Sequence, residues 1–103
     1  MITISNIESD FCDLDTEYRE ALAHFLVKKK YLSNTPLSLQ LGTEKQQEEY
    51  ERVWNMPLNS KQIKEIMNYI AKEMNGDYQY SSFNTIKNYY ISIANDMDKG
   101  EER

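Results

Sequence analysis

Apolar and polar positions recur with a helical period along most of the chain, most regularly between residues 60 and 74. There Ile63, Ile66, Met67, Ile70, Ala71 and Met74 fall at i, i+3, i+4, i+7, i+8 and i+11, one stripe of a 3.6-residue helix. Lys61, Lys64, Glu65, Lys72 and Glu73 occupy the opposite side. Pro57 stops a helix from running in from upstream. Asn59 with Gln62 fits a capping box, and Asn75-Gly76 tolerates the left-handed backbone that ends a helix. A second stripe follows in Phe83, Ile86, Tyr90, Ile93, Ala94 and Met97, with Ser81 or Ser82 as its cap. The short connection Asp77-Tyr78-Gln79-Tyr80 predicts that the two helices lie antiparallel with their stripes facing.

Upstream, Ile4 to Cys12 reads as a short helix with Ser5 and Glu8 as its capping box and Ile7 and Phe11 turned inward. Thr16 to Leu32 reads as a longer one, capped by Asp15 or Thr16, with Tyr18, Ala21, Leu22, Phe25 and Leu26 as the buried stripe. Glu17 and Glu20 near its start and Lys28, Lys29 and Lys30 at its end suit the helix dipole. Pro36 breaks the pattern, and Leu37, Leu39 and Leu41 alternate with polar residues. With no second strand to pair with, Ser33 to Gly42 is expected as an extended loop over the core, though such a segment can also pair with another copy and give a homodimer. Thr43 to Asn55 reads as a mostly polar helix, with Thr43 and Gln46 as its capping box and Tyr50, Val53 and Trp54 buried at its end. The tail from Asp98 to Arg103 is polar and expected to fray.

The predicted fold is therefore all-α: a single domain over residues 1–103, a small bundle of four to five helices ending in a helical hairpin. A hydrophobic share of 40% and a charged share of 28% suit a soluble globular chain of this length. No apolar run reaches the roughly 20 residues that a membrane helix needs, and the first residues lack the pattern of a secretory signal. One cysteine, Cys12, cannot form an internal disulfide. These features place the expected site of action in the cytoplasm.

Charge changes the picture more than composition does. The net charge is −5. The first twenty residues hold Glu8, Asp10, Asp13, Asp15, Glu17 and Glu20 against Arg19 alone, while acids and bases balance over the rest. An acidic patch of this kind steers basic partners and repels nucleic acid. Tyrosine is the other excess. Of eight, Tyr69, Tyr78, Tyr80 and Tyr89 fall off the apolar stripes, and exposed tyrosine favours protein contact.

The chain carries no pattern for catalysis, metal or phosphate. Cys12 and His24, the sole thiol and imidazole, fall on different predicted helices without an orienting group. One Cys and one His do not make a zinc site, and the glycines are scattered. Counted from Asp10 as a calcium loop, the sixth position is Asp15 rather than Gly and the twelfth is Ala21 rather than Glu. No enzyme activity, cofactor or metal is expected.

The reading that follows is a non-catalytic binding module. It is a small acidic inhibitor, of the kind met in immunity proteins, antitoxins and phage-type anti-defence proteins, that masks a basic site on a protein or nucleic-acid-binding protein. Asp10, Asp13, Asp15, Glu17 and Glu20 would steer, and Tyr78 and Tyr80 would anchor. The alternative is a helix-turn-helix-like regulator that reads DNA with Asn84, Thr85, Lys87 and Asn88 at the start of the last helix. Against it stand a connection longer than the usual turn and a lone Lys87 between Asp77 and Asp96, where nucleic-acid binding shows a concentrated basic footprint.

Overall fold

A computed structural model describes residues 1–32 and 44–100, with side chains in the third helix described from Gln47 onward. The described part is all-α: α1 Ile4–Asp10, α2 Thr16–Lys28, α3 Glu44–Trp54, α4 Ser60–Glu73 and α5 Tyr80–Gly100. The expected loop from Ser33 to Gly42, its leucines and the Thr43 capping box lie outside the described residues.

α4 and α5 form the hairpin and share the most extensive packing among the described helices. Asn59 caps α4 as its sequence promised: its carboxamide accepts the Gln62 N–H at 2.8 Å, and Gln62 Oε1 accepts the Asn59 N–H at 2.9 Å. Ile63, Ile66, Met67 and Ile70 are buried, and they face Phe83, Tyr90 and Ala94 of α5 in one core. Gly76, at φ 90°, turns the chain after α4. The open end of the hairpin is closed by Asp98. It accepts from the Ser60 hydroxyl and, at 2.9 Å, from Lys64 Nζ. These partners, Ser60 first, hold the Asp98 carboxyl below its usual value. Asp98 therefore belongs to α5, which runs on to Gly100 past the boundary expected for the tail.

The serines do not cap α5. Its first turn starts earlier, because the Asp77 carbonyl accepts the Tyr80 N–H at 3.0 Å and the Asp77 carboxylate accepts the Gln79 N–H at 3.0 Å. Ser81 and Ser82 are left exposed within the helix. At the chain start, too, the cap lies before the expected one. Thr3 and Asn6 form the box, not Ser5 and Glu8. Ile4 and Ile7 are both fully buried, so the helix has to begin ahead of Ile4. The Ile2 carbonyl accepts the Leu58 N–H at 2.9 Å, which ties this start to the link before α4.

α2 buries all five residues of its expected stripe. It ends at Lys28 rather than Leu32, because Lys30 adopts φ 65° and reverses the chain. The Tyr31 N–H then reaches the Leu26 carbonyl at 2.8 Å and the Lys30 N–H reaches Val27 at 3.0 Å, a Schellman closure. α2 lies on α4 through Phe25 against Tyr69, ring centroids 5.5 Å apart, and through the ion pair Lys29–Glu65 at 3.2 Å. In α3, Val53 and Trp54 are buried and Tyr50 stacks on Trp54 at 4.1 Å. No helix among the described residues is long and apolar enough to cross a membrane.

Candidate partner-binding face

The acidic residues gather where α1 gives way to α2, and that corner is seated on the start of α5 by aromatic packing. Phe11, Tyr18 and Phe83 meet with centroids 5.4 to 6.3 Å apart, and all three are fully buried. The two edge-on contacts, Phe11 with Tyr18 and Phe11 with Phe83, add roughly 0.5–1.5 kcal/mol per pair beyond the area they bury. Tyr80, half-buried, sets its ring against Phe83 at 5.7 Å, so its body serves the core.

Hydrogen bonds then fasten the corner to the hairpin. The Tyr90 hydroxyl donates to the Asp10 carboxylate. The Tyr78 hydroxyl donates to Asp15 Oδ2 at 2.7 Å, and Gln79 Oε1 accepts the Asp15 N–H at 2.7 Å. In the other direction, Tyr18 on α2 donates to Asp77 Oδ2 at 2.8 Å. Each phenol thus faces a carboxylate. Burial first, and then the bond to Asp77 or Asp10, pushes the Tyr18 and Tyr90 hydroxyls well above the ordinary tyrosine value. The Tyr78 hydroxyl is raised mainly by its bond to Asp15.

The residues expected to form a binding face therefore divide. Asp10 and Asp15 are engaged by other side chains of the chain, Asp15 standing at the N-cap position of α2 with its carboxylate bonded to Tyr78 and making no cap hydrogen bond. Asp13, Glu17 and Glu20 are exposed, with no hydrogen bond or ion pair among the described residues. Tyr78 is 77% exposed although its hydroxyl is held, so its ring faces solvent. Tyr89, 60% exposed, is the other open ring and packs edge-on to Tyr90 at 5.3 Å. Reading by apolar stripe misses the pairing of Tyr18 with Asp77, since Tyr18 counts there only as a core residue.

The four residues of the DNA-reading alternative lie in the first turns of α5 and differ in exposure. Thr85 and Asn88 are exposed, whereas Asn84 and Lys87 are half-buried on the flank of α5. The Thr85 hydroxyl donates back to the Ser81 carbonyl at 3.3 Å. Cys12 and His24 are both exposed, in the corner and on α2. No group of three or more His, Cys, Asp or Glu among the described residues is placed to hold a metal ion. No known protein family, curated protein or solved structure matches this chain.

Proposed function

We propose that this chain is a non-catalytic binding protein that covers a basic site on a partner protein, as a small acidic inhibitor does. The observation that carries this reading is the state of Asp13, Glu17 and Glu20. They are three exposed carboxylates on a corner whose backbone is fastened to the hairpin by tyrosine–carboxylate bonds. A fixed like-charged face raises encounter rates with an opposite charge, and it does so without having to be ordered on binding. Tyr78, with its ring open beside this corner, supplies contact area at low entropic cost. The exposed lone thiol of Cys12 suits action in a reducing cytoplasm.

The test is capture of partners from the native cell at low and high salt, with the chain and with a D13N/E17Q/E20Q variant. Asp10 and Asp15 are left intact because they hold the fold. Wild type is expected to retain a basic protein at low salt and to lose it at high salt. The variant, melting as wild type does, is expected to associate with that protein at least about tenfold more slowly at low salt. Capture that ignores both salt and the three substitutions overturns the reading. Capture of a defined DNA fragment moves the function to α5.

A further inference from the structure

Asn75 and Gly76, which follow the cap of α4, stand apart from the rest of the hairpin turn. Both are exposed. The Asn75 carboxamide makes no hydrogen bond among the described residues, and neither does the Gly76 N–H. The turn is closed around them instead, where the Asp77 N–H reaches the Met74 carbonyl at 3.0 Å. Gly76, at φ 90°, has nothing within 4 Å of where a Cβ would stand. An unhindered backbone nitrogen therefore follows a carboxamide that nothing holds, and the two can close a five-membered ring.

The other described asparagines lack this pairing. Asn59, followed by the small Ser60, comes nearest by sequence. Its Oδ1, however, accepts the Gln62 N–H at 2.8 Å and is fixed in the capping box of α4. Asn6 is fixed in the same way at the start of α1. Asn55 donates to the Glu51 carbonyl at 2.9 Å, and the N–H that follows it is bonded to Val53 at 3.2 Å. The asparagines inside α4 and α5 are followed by N–H groups engaged in the helical ladder.

We propose that Asn75 is a site of spontaneous modification, at which the folded chain turns its own carboxamide into a carboxylate. The Gly76 nitrogen attacks Asn75 Cγ. The new N–Cγ bond closes a succinimide, the Cγ–Nδ2 bond breaks, and the nitrogen leaves as ammonia carrying the proton that Gly76 gave up. Water then opens the ring. Attack at Cγ leaves aspartate on the ordinary backbone, and attack at the main-chain carbonyl leaves isoaspartate, with the chain running through Cγ. One water enters, one ammonia leaves, and nothing is oxidised or reduced. Either product puts a negative charge at the carboxyl end of α4, where the helix dipole opposes it. Isoaspartate also lengthens the backbone two residues before Asp77, whose carboxylate holds Tyr18 and whose carbonyl accepts from Tyr80. The proposal stands apart from the masking role, since it uses none of the corner's carboxylates.

The test is incubation of the full chain at mildly alkaline pH, folded and in urea, followed by peptide mass mapping and isoaspartate-specific enzymatic methylation. In the folded chain Asn75 is expected to lose its amide at least about tenfold faster than any other described asparagine, because ring closure is intramolecular and unhindered there alone. Its folded rate is expected to fall within about threefold of its rate in urea, whereas folding is expected to slow Asn59 at least about tenfold. Asn75→Gln is expected to abolish the early product. Another described asparagine converting first overturns the proposal, and so does an Asn75 that folding protects as well as it protects Asn59. The aged wild type is expected to unfold at lower urea than the fresh protein, and aged Asn75→Gln to keep its midpoint. An aged wild type with an unchanged midpoint overturns the link between this site and the hairpin.

Discussion

Lys30 holds a left-handed backbone, φ 65°, at the position just past the cap of α2. A side chain there sets its Cβ against the following carbonyl oxygen, which costs roughly 1–2 kcal/mol, and glycine avoids that clash. Glycine in return gives the unfolded chain more freedom to lose. The clash is the larger of the two, so Lys30→Gly is expected to stabilise the protein by about 0.5–1 kcal/mol in urea denaturation. A destabilised variant would mean that the lysine side chain, rather than the turn geometry, matters at this site. Residue-scale detail of this kind was scarcely legible in the sequence. Nothing in Lys28-Lys29-Lys30 signals a reversal, and the turn forms because it sends Leu32 back into the core, where it is 2% exposed.

Helices were more legible, because burial enforces their period. Every residue expected on the α2 stripe is buried, and the four central residues of the α4 stripe are at most 1% exposed. Ile70 sits among them, facing α5. Ile70→Ala is expected to cost about 2–5 kcal/mol in chemical denaturation, through lost transfer energy and the cavity left behind. A change under about 1 kcal/mol would show that the hairpin does not depend on this contact. Element ends were less legible. Caps are local competitions between polar residues: at Thr3 the winner was settled by the burial of Ile4 and Ile7, and α5 starts at Tyr80 straight after the turn that Asp77 closes. Ser5, Ser81 and Ser82 are equally good caps by type, but they stand too far along their helices to serve.

Across the whole molecule, the candidate site was legible in its charge and not in its wiring. The sequence separates acids from tyrosines, and folding brings Tyr78 to Asp15 and Tyr90 to Asp10 across separations of 63 and 80 residues. No spacing rule reaches that far. Burial of the phenols, and then this wiring, sets the response to alkali. Folded Tyr18 and Tyr90 keep their protons above the pH at which unfolded tyrosines release theirs, near 10. The unfolded state then binds fewer protons, so stability is full below about pH 10 and falls as pH rises beyond it. Denaturation midpoints taken between pH 8 and 11 are expected to hold level and then decline, and Tyr18→Phe with Tyr90→Phe is expected to flatten the decline. A decline just as steep in the double variant would assign it to other groups.

The stacked pair on α3 makes that experiment readable. Trp54 is the only tryptophan in the chain, buried and 4.1 Å from the Tyr50 ring. Its emission reports on α3, whereas ultraviolet absorption by ionising phenols reports chiefly on the corner and the hairpin. The protein thus carries two optical labels on different parts of its structure. Whether they change together along a titration tells directly if the helices let go as one unit or in turn.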